Sequence, residues 1–258
     1  VCVIRYGAFG DMLQVSSILP LLKEQGYRVC VNVSPIGEDI LKSNPYVDEL
    51  LVQKTNMIPE GELTEYWENL PPLFDKVIQL SESIEASLLV VPDRPSTLRN
   101  GDVVLAKADE RFFWDKEKLH EECNINYMER THDLAGVPHI FNPRFYPTRQ
   151  EKEWAKKERK KIKSKYVILW SLSGSSVHKV YPWTDSVIAS VLSRRKDVSF
   201  VTVGDDLCQL LEQGWEKEKR VVTKSGKWSI RKTLSFIDRC AIVIGPETGV
   251  LNAASTLD

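Results

Sequence analysis

With 258 residues, 42% of them hydrophobic, the chain has enough apolar material for one large core or two modest ones. A formal net charge of -1 argues against a nucleic-acid partner, and no apolar run reaches the length of a membrane span. Five cysteines (Cys2, Cys30, Cys123, Cys208, Cys240) form no C-x-x-C pair, and four of them fall in or beside predicted strands or helices, so a reducing cytosol is the expected home.

The chain starts inside a strand, with no signal segment and no initiator Met, and it ends abruptly at Asp258, so trimming is expected at both ends. The first stretch, VCVIRYGAFGDMLQVSSILPLL, reads as strand, glycine turn and helix. Val1, Val3 and Ile4 supply β-branched density, and Val15, Ile18, Leu19 and Leu22 recur at the spacing of one helical face. Between them, Gly7 and Gly10 let the backbone turn tightly and let a ligand come close, and Asp11 lands where strand ends meet helix starts. Asp11 is therefore either a helix N-cap or a working carboxylate. The glycines do not make G-x-G-x-x-G, and the second strand ends in Ser34-Pro35 where a dinucleotide fold wants an acid, which argues against a dehydrogenase.

Strands are predicted at Val1 to Tyr6, Tyr27 to Val33, Val47 to Val52 and Lys76 to Leu80, with helical patterns between them. That alternation predicts a mostly parallel sheet covered on both faces. From Pro92 to Tyr127 the rhythm is lost; Phe112, Phe113 and Trp114 sit among many charges, as surface helices or as a lobe over a cleft. Three prolines from Pro138 to Pro147 mark a boundary, and EKEWAKKERKKIKSK follows with eight basic and three acidic residues. This run is read as a linking helix over 149–165, either an ordinary solvated face or a surface for an anionic membrane.

The rhythm restarts with strands at Tyr166 to Ser171, Val198 to Gly204, Arg220 to Thr223 and Ala241 to Gly245, which divides the chain into a first domain at 1–148 and a second at 166–258. Three loops at strand ends of the second half are expected to share one cleft. In SLSGSSVHKVYP, the hydroxyls of Ser173, Ser175 and Ser176, the backbone at Gly174 and the ammonium of Lys179 suit phosphate oxygens. The second loop is Gly204-Asp205-Asp206. The third, Gly245-Pro246-Glu247-Thr248-Gly249, precedes a predicted helix from Val250 to Ser255, whose first N–H groups favour a diphosphate; Glu247 either bonds sugar hydroxyls or serves as a cap. The histidines His120, His132, His139 and His178 show no metal-ligand spacing, and no metal is expected.

Taken together, IRYGAFGDML, the K-x-Y-P of Lys179 to Pro182 and IGPETGVLNAAS resemble glycosyltransferase family 9, the heptosyltransferases. FDKVIQLSESIEASLL and VSFVTVGDD add to the likeness, which runs over nearly the whole chain. The resemblance implies the GT-B architecture: α/β, two facing Rossmann-like domains, acceptor in the first and nucleotide-diphosphate sugar in the second, the second incomplete at its C-terminus. It implies metal-independent inversion without a cofactor, with ADP-heptose as donor and a glycan or glycolipid acceptor such as a lipopolysaccharide core. In the family's G-x-x-G-D, the aspartate that acts as base falls on Asp11; the K-x-W-P lysine that meets the donor phosphates falls on Lys179, with Tyr181 in place of tryptophan. The family's D-T-G-x-x-H becomes Glu247-Thr248-Gly249 with Asn252 for the histidine, which keeps hydrogen bonding and loses a titratable group. A sugar-nucleotide or glycan binding protein without turnover, and a sugar-nucleotide epimerase of similar fold, are the competing readings.

Overall fold

The computed structural model describes residues 1–54, 57–59, 62–80, 117, 126–174 and 177–256. Residues 81–116 and 118–125, with Phe112, Phe113, Trp114, His120 and Cys123, and the pair Ser175 and Ser176 lie outside the described residues. The chain divides into two compact units, Val1–Tyr146 and Pro147–Asp258.

In the first unit, β1 (Cys2–Arg5) leads to α1 (Phe9–Ser16) and α2 (Leu19–Glu24), then β2 (Cys30–Val33), α3 (Pro35–Leu41), β3 (Glu49–Val52), α4 (Leu63–Asn69), β4 (Val77–Gln79) and α5 (Tyr127–Ala135). The four strands form one parallel sheet in the order β3-β2-β1-β4, with Cys2 opposite Cys30 and Val77. Strands β1 and β2 are buried along their whole length, as a parallel sheet covered on both faces requires. Val15, Ile18, Leu19 and Leu22 are all buried, as their spacing predicts, but Val15 lies on α1, Leu19 and Leu22 on α2, and Ile18 at the N-cap between them. Pro20 has no N–H to give, and its ring would clash with the carbonyl four residues back, so α1 stops at Ser16 and α2 restarts with Pro20 in its first turn. Ser17 closes the break by donating its hydroxyl to the Gln14 carbonyl at 2.6 Å.

In the second unit, α6 (Arg149–Lys161) precedes β5 (Tyr166–Ser171), α7 (Thr184–Arg194), β6 (Val198–Val203), β7 (Val221–Thr223), α8 (Ile230–Ile237), β8 (Ile242–Ile244) and α9 (Gly249–Ala254). Short 3-10 turns occupy Val177–Lys179 and Leu207–Glu212. The sheet is again parallel, in the order β7-β6-β5-β8, so the strand order of the first unit is repeated. Its core is built on Leu169, Trp170, Phe200 and Phe236, and burial of side chains of this size contributes about 1.5–3 kcal/mol each. Predicted and observed strands differ only at their ends, the largest difference being β2, which begins at Cys30 and not Tyr27. Gly26, at φ 88°, turns the chain after α2, and Tyr27 and Arg28 are spent on the approach to the sheet.

The basic segment is a helix over Arg149–Lys161 that belongs to the second unit. Thr148 and Glu151 make a reciprocal capping box at its start, and Glu151 pairs with Arg231 of α8 at 2.6 Å. Trp154 meets Trp228 edge to face at 4.9 Å, and Ala155 is fully buried.

Candidate functional site

The loop between β1 and α1 is organised around a carboxylate. Asp11 is the third residue of α1 and not its N-cap, a place held by Ala8. Its carboxylate accepts the Ala8 N–H at 2.7 Å, which is the acidic half of a capping box whose other half an alanine cannot supply. The second oxygen pairs with Arg5 at 2.6 Å. Arg5 is itself 4% exposed at the end of β1; it also donates to the Leu80 carbonyl, and its guanidinium lies 5.2 Å from the Tyr127 ring centre. The Asp11 side chain remains 24% exposed, so one edge of a carboxylate held from two sides stays open to solvent.

Gly7 is required here for space rather than for a left-handed backbone, since the glycines with positive φ are Gly26, Gly136, Gly214 and Gly226. A Cβ on Gly7 would collide with the Asp11 carboxylate. Gly10 is half-buried within the first turn of α1 and is likewise absent from the left-handed set.

In the second unit, Lys179 donates to the Glu247 carboxylate at 3.0 Å and to the Glu247 carbonyl at 2.8 Å. Asn252 donates to the other Glu247 oxygen at 3.3 Å. Lys179, and then Asn252, hold the Glu247 carboxyl below its ordinary pKa. Gly174 lies against both partners: a Cβ there would come within 2.8 Å of Lys179 Cδ and 2.8 Å of Thr248 Cγ2. The structure therefore brings Gly174, Lys179, Glu247, Thr248 and Asn252 into one corner at the C-terminal ends of β5 and β8. Ser173 is next to it, with its hydroxyl turned to the Gly174 carbonyl at 3.3 Å. Thr248 stands at the N-cap of α9, but its hydroxyl donates back to the Pro246 carbonyl at 3.3 Å and does not cap; Gly249 begins the helix. The helix starts one residue earlier than its apolar pattern predicts.

The remaining loop residues have structural partners. Asp205 accepts the Cys208 N–H at 3.0 Å, closing the 3-10 turn, and together with burial it pushes the Cys208 thiol up to about 11. Tyr181, standing where the resembling motif has tryptophan, stacks on Trp170 with ring centres 6.2 Å apart. Among the described residues no group of three His, Cys, Asp or Glu side chains is arranged to hold a metal ion, and no helix is long and apolar enough to cross a membrane.

The chain is similar in structure to a glycosyltransferase family 9 protein from Veillonella parvula, with a TM-score of 0.72 at 15% identity over 99% of this chain and 77% of that one. The fold is that of the family 9 glycosyltransferases. Escherichia coli ADP-heptose lipopolysaccharide heptosyltransferase II matches at a TM-score of 0.64 and 16% identity, over 99% of this chain and 81% of its own. E. coli heptosyltransferase WaaC, solved with ADP, matches at 0.62 and 13%, over 100% and 84%. No protein-family model and no curated protein matches the sequence. At these identities the likeness is one of fold, and the α/β, GT-B class expected from the sequence is the class observed.

Sequence reasoning missed Arg5. The signal was present: a lone arginine closing an apolar, buried strand needs a buried partner, and Asp11 is the nearest acid along the chain. Also unforeseen is the cluster above β1 to β3, where the Tyr6 hydroxyl lies 2.9 Å from Asn32 Oδ1 and 2.8 Å from Gln53 Oε1, and Asn32 donates to Tyr66 at 3.0 Å. No periodicity in the sequence announces which polar side chains meet across neighbouring strands.

Proposed function

We propose that the protein is a glycosyltransferase that moves a sugar from a nucleotide-diphosphate donor to an acceptor hydroxyl, with inversion and without a metal ion. The first unit takes the acceptor, a glycan or glycolipid of the lipopolysaccharide-core kind, and the second takes the donor, with ADP-heptose the first candidate. The work is assigned to the cytoplasmic side of a membrane. The observation that carries this reading is the Asp11 carboxylate, oriented by Arg5 and the Ala8 N–H yet open on one edge, in a fold shared with heptosyltransferases.

Asp11 takes the proton of the acceptor hydroxyl while that oxygen bonds to the anomeric carbon. The bond from that carbon to the diphosphate oxygen breaks on the opposite face, and its electron pair leaves with the nucleotide. General-base assistance of this kind is worth about 10²- to 10⁴-fold. Pairing with Arg5 and the bond from the Ala8 N–H fix the direction of the Asp11 carboxylate, so that it meets the acceptor hydroxyl already oriented.

The charge that develops on the leaving diphosphate is met by Lys179, by the loop backbone and hydroxyls at Ser173 to Ser176, and by the N–H groups at Thr248 and Gly249. Glu247 holds Lys179 in place until phosphate oxygens replace it, and Asn252 steadies Glu247. Glu247 is then free to accept hydrogen bonds from sugar hydroxyls.

Calorimetric binding of ADP, UDP, GDP and their sugars, followed by a product assay with the donor that binds, tests the reading. Selective binding of an ADP-sugar with product formation supports it. Binding without transfer to any acceptor would favour a binding protein, and interconversion of the free nucleotide sugar would favour an epimerase.

A further inference from the structure

The helix α6 carries a charge pattern that the transfer reading leaves unused. Of its three acids, Glu151 is turned inward onto Arg231, and Glu158 is paired with Lys161 and only 16% exposed. Glu153 alone stands on the outer face. At about 3.6 residues per turn, Arg149, Lys152, Lys156, Lys157 and Lys160 share that face with it, and all are exposed. None of these four lysines forms an ion pair with a described residue. Lys163 and Lys165 extend the exposed cationic run beyond the helix end.

The packing that creates this face also makes it rigid. The capping box fixes the first turn, Arg231 grips Glu151, and Arg159 turns back to donate to the carbonyls of Ile162, Ser164 and Lys165, closing the last turn. At the edge of the face lie two half-buried tryptophans, Trp154 and Trp228, with Lys232 5.5 Å from the first ring centre and Lys224 5.6 Å from the second. Tryptophan flanked by lysine is the side-chain pairing that settles at the headgroup level of a bilayer.

We propose that the outer face of α6, together with the Trp154–Trp228 edge, is a docking surface for an anionic lipid bilayer. A net charge of -1 on the whole chain does not oppose this, because acids farther than a Debye length of about 8–10 Å are screened while the helix face is in contact. A rigid cationic face loses little conformational freedom on docking, unlike a disordered basic tail. A surface of this kind fits a protein whose acceptor is a lipid-linked glycan, but the surface stands without that reading.

The test is sedimentation of the whole chain with phosphatidylcholine vesicles, with and without about one-third phosphatidylglycerol, as salt is raised. The expected result is binding to the anionic vesicles only, lost at high salt. Each cation removed from the surface is worth about fivefold, so Lys156→Gln with Lys157→Gln and Lys160→Gln should weaken the partition about a hundredfold while circular dichroism is unchanged. A second variant, Trp154→Phe, should weaken binding far less than the triple change, because it keeps every charge. Equal binding to both vesicle types, or undiminished binding by the triple variant, would overturn the proposal. So would binding to heparin or RNA with none to vesicles. Vesicle binding needs no turnover, so its failure leaves the transfer reading untouched, and the failure of transfer leaves this surface standing.

Discussion

Two charged corners, one in each unit, are held in opposite ways. Asp11 is paired with an arginine that is almost wholly buried, with side-chain exposures of 5% and 24% across the pair. Lys179 and Glu247 meet at exposures of 33% and 75%. A pair in the first condition cannot exchange partners without uncovering a buried cation, so Arg5 fixes the direction of the Asp11 carboxylate, as the proposed transfer requires. A pair in the second contributes at most about 1 kcal/mol to stability and can give way to a stronger ligand, as the proposed phosphate contact of Lys179 requires. The first corner is suited to orient a reacting group and the second to be remade on binding.

The largest effect should come from Asp11→Asn, which keeps the shape and removes the carboxylate proposed as the base. Transfer should fall about 10²- to 10⁴-fold while calorimetric donor affinity stays nearly unchanged. Equal loss of both would break the assignment of different tasks to the two corners. Arg5→Met should lower kcat by about ten- to a hundredfold, since misdirection of a catalytic group by about 1 Å can cost that much. It should also lower the urea midpoint, because it removes an ion pair and a donor to the Leu80 carbonyl. Gly7→Ala should cut kcat in the same direction with a smaller loss of stability, because the new Cβ pushes on the carboxylate itself. Normal kinetics in both variants would mean that aim does not matter.

Lys179→Ala should weaken donor binding about tenfold and slow transfer along with it, and the Glu247 carboxyl should titrate higher once its cation is gone. Nuclear magnetic resonance of the carboxyl carbon reads that shift directly. The smallest effect concerns the other buried-arginine pair. Burial alone would raise the Glu151 pKa, but hydrogen bonds from Arg231 and Thr148 override it and bring it from 4.5 to about 2. A group depressed on folding contributes stability above its unfolded pKa, here 4.5, and loses it as pH falls toward about 2. Arg231→Met should flatten the fall of the urea midpoint across that window, and Lys179→Ala should flatten it far less, because its pair with Glu247 is exposed to solvent.

Much of this was legible along the chain. Val1 to Ile4 and Tyr166 to Ser171 announced themselves as buried strands, and Asp11 and Lys179 stood out by position against strand ends. Pro20 was equally visible and still misread, because the apolar spacing from Val15 to Leu22 runs straight across the break. The N-cap reading of Asp11 failed by three residues, since helix starts are decided by which N–H finds an acceptor and not by where the acid stands.

The periodicity and order of the chain by themselves determined two parallel βα units, their strand order apart, and the loops where chemistry is proposed, because apolar spacing and turn residues are local properties. Only the tertiary structure decided that Arg5 pairs with Asp11, that Glu247 pairs with Lys179, and that Glu151 and Glu158 turn inward and leave α6 a cationic outer face. Ion pairs join residues from different elements, and their partners are selected by burial, which no residue carries in its own identity.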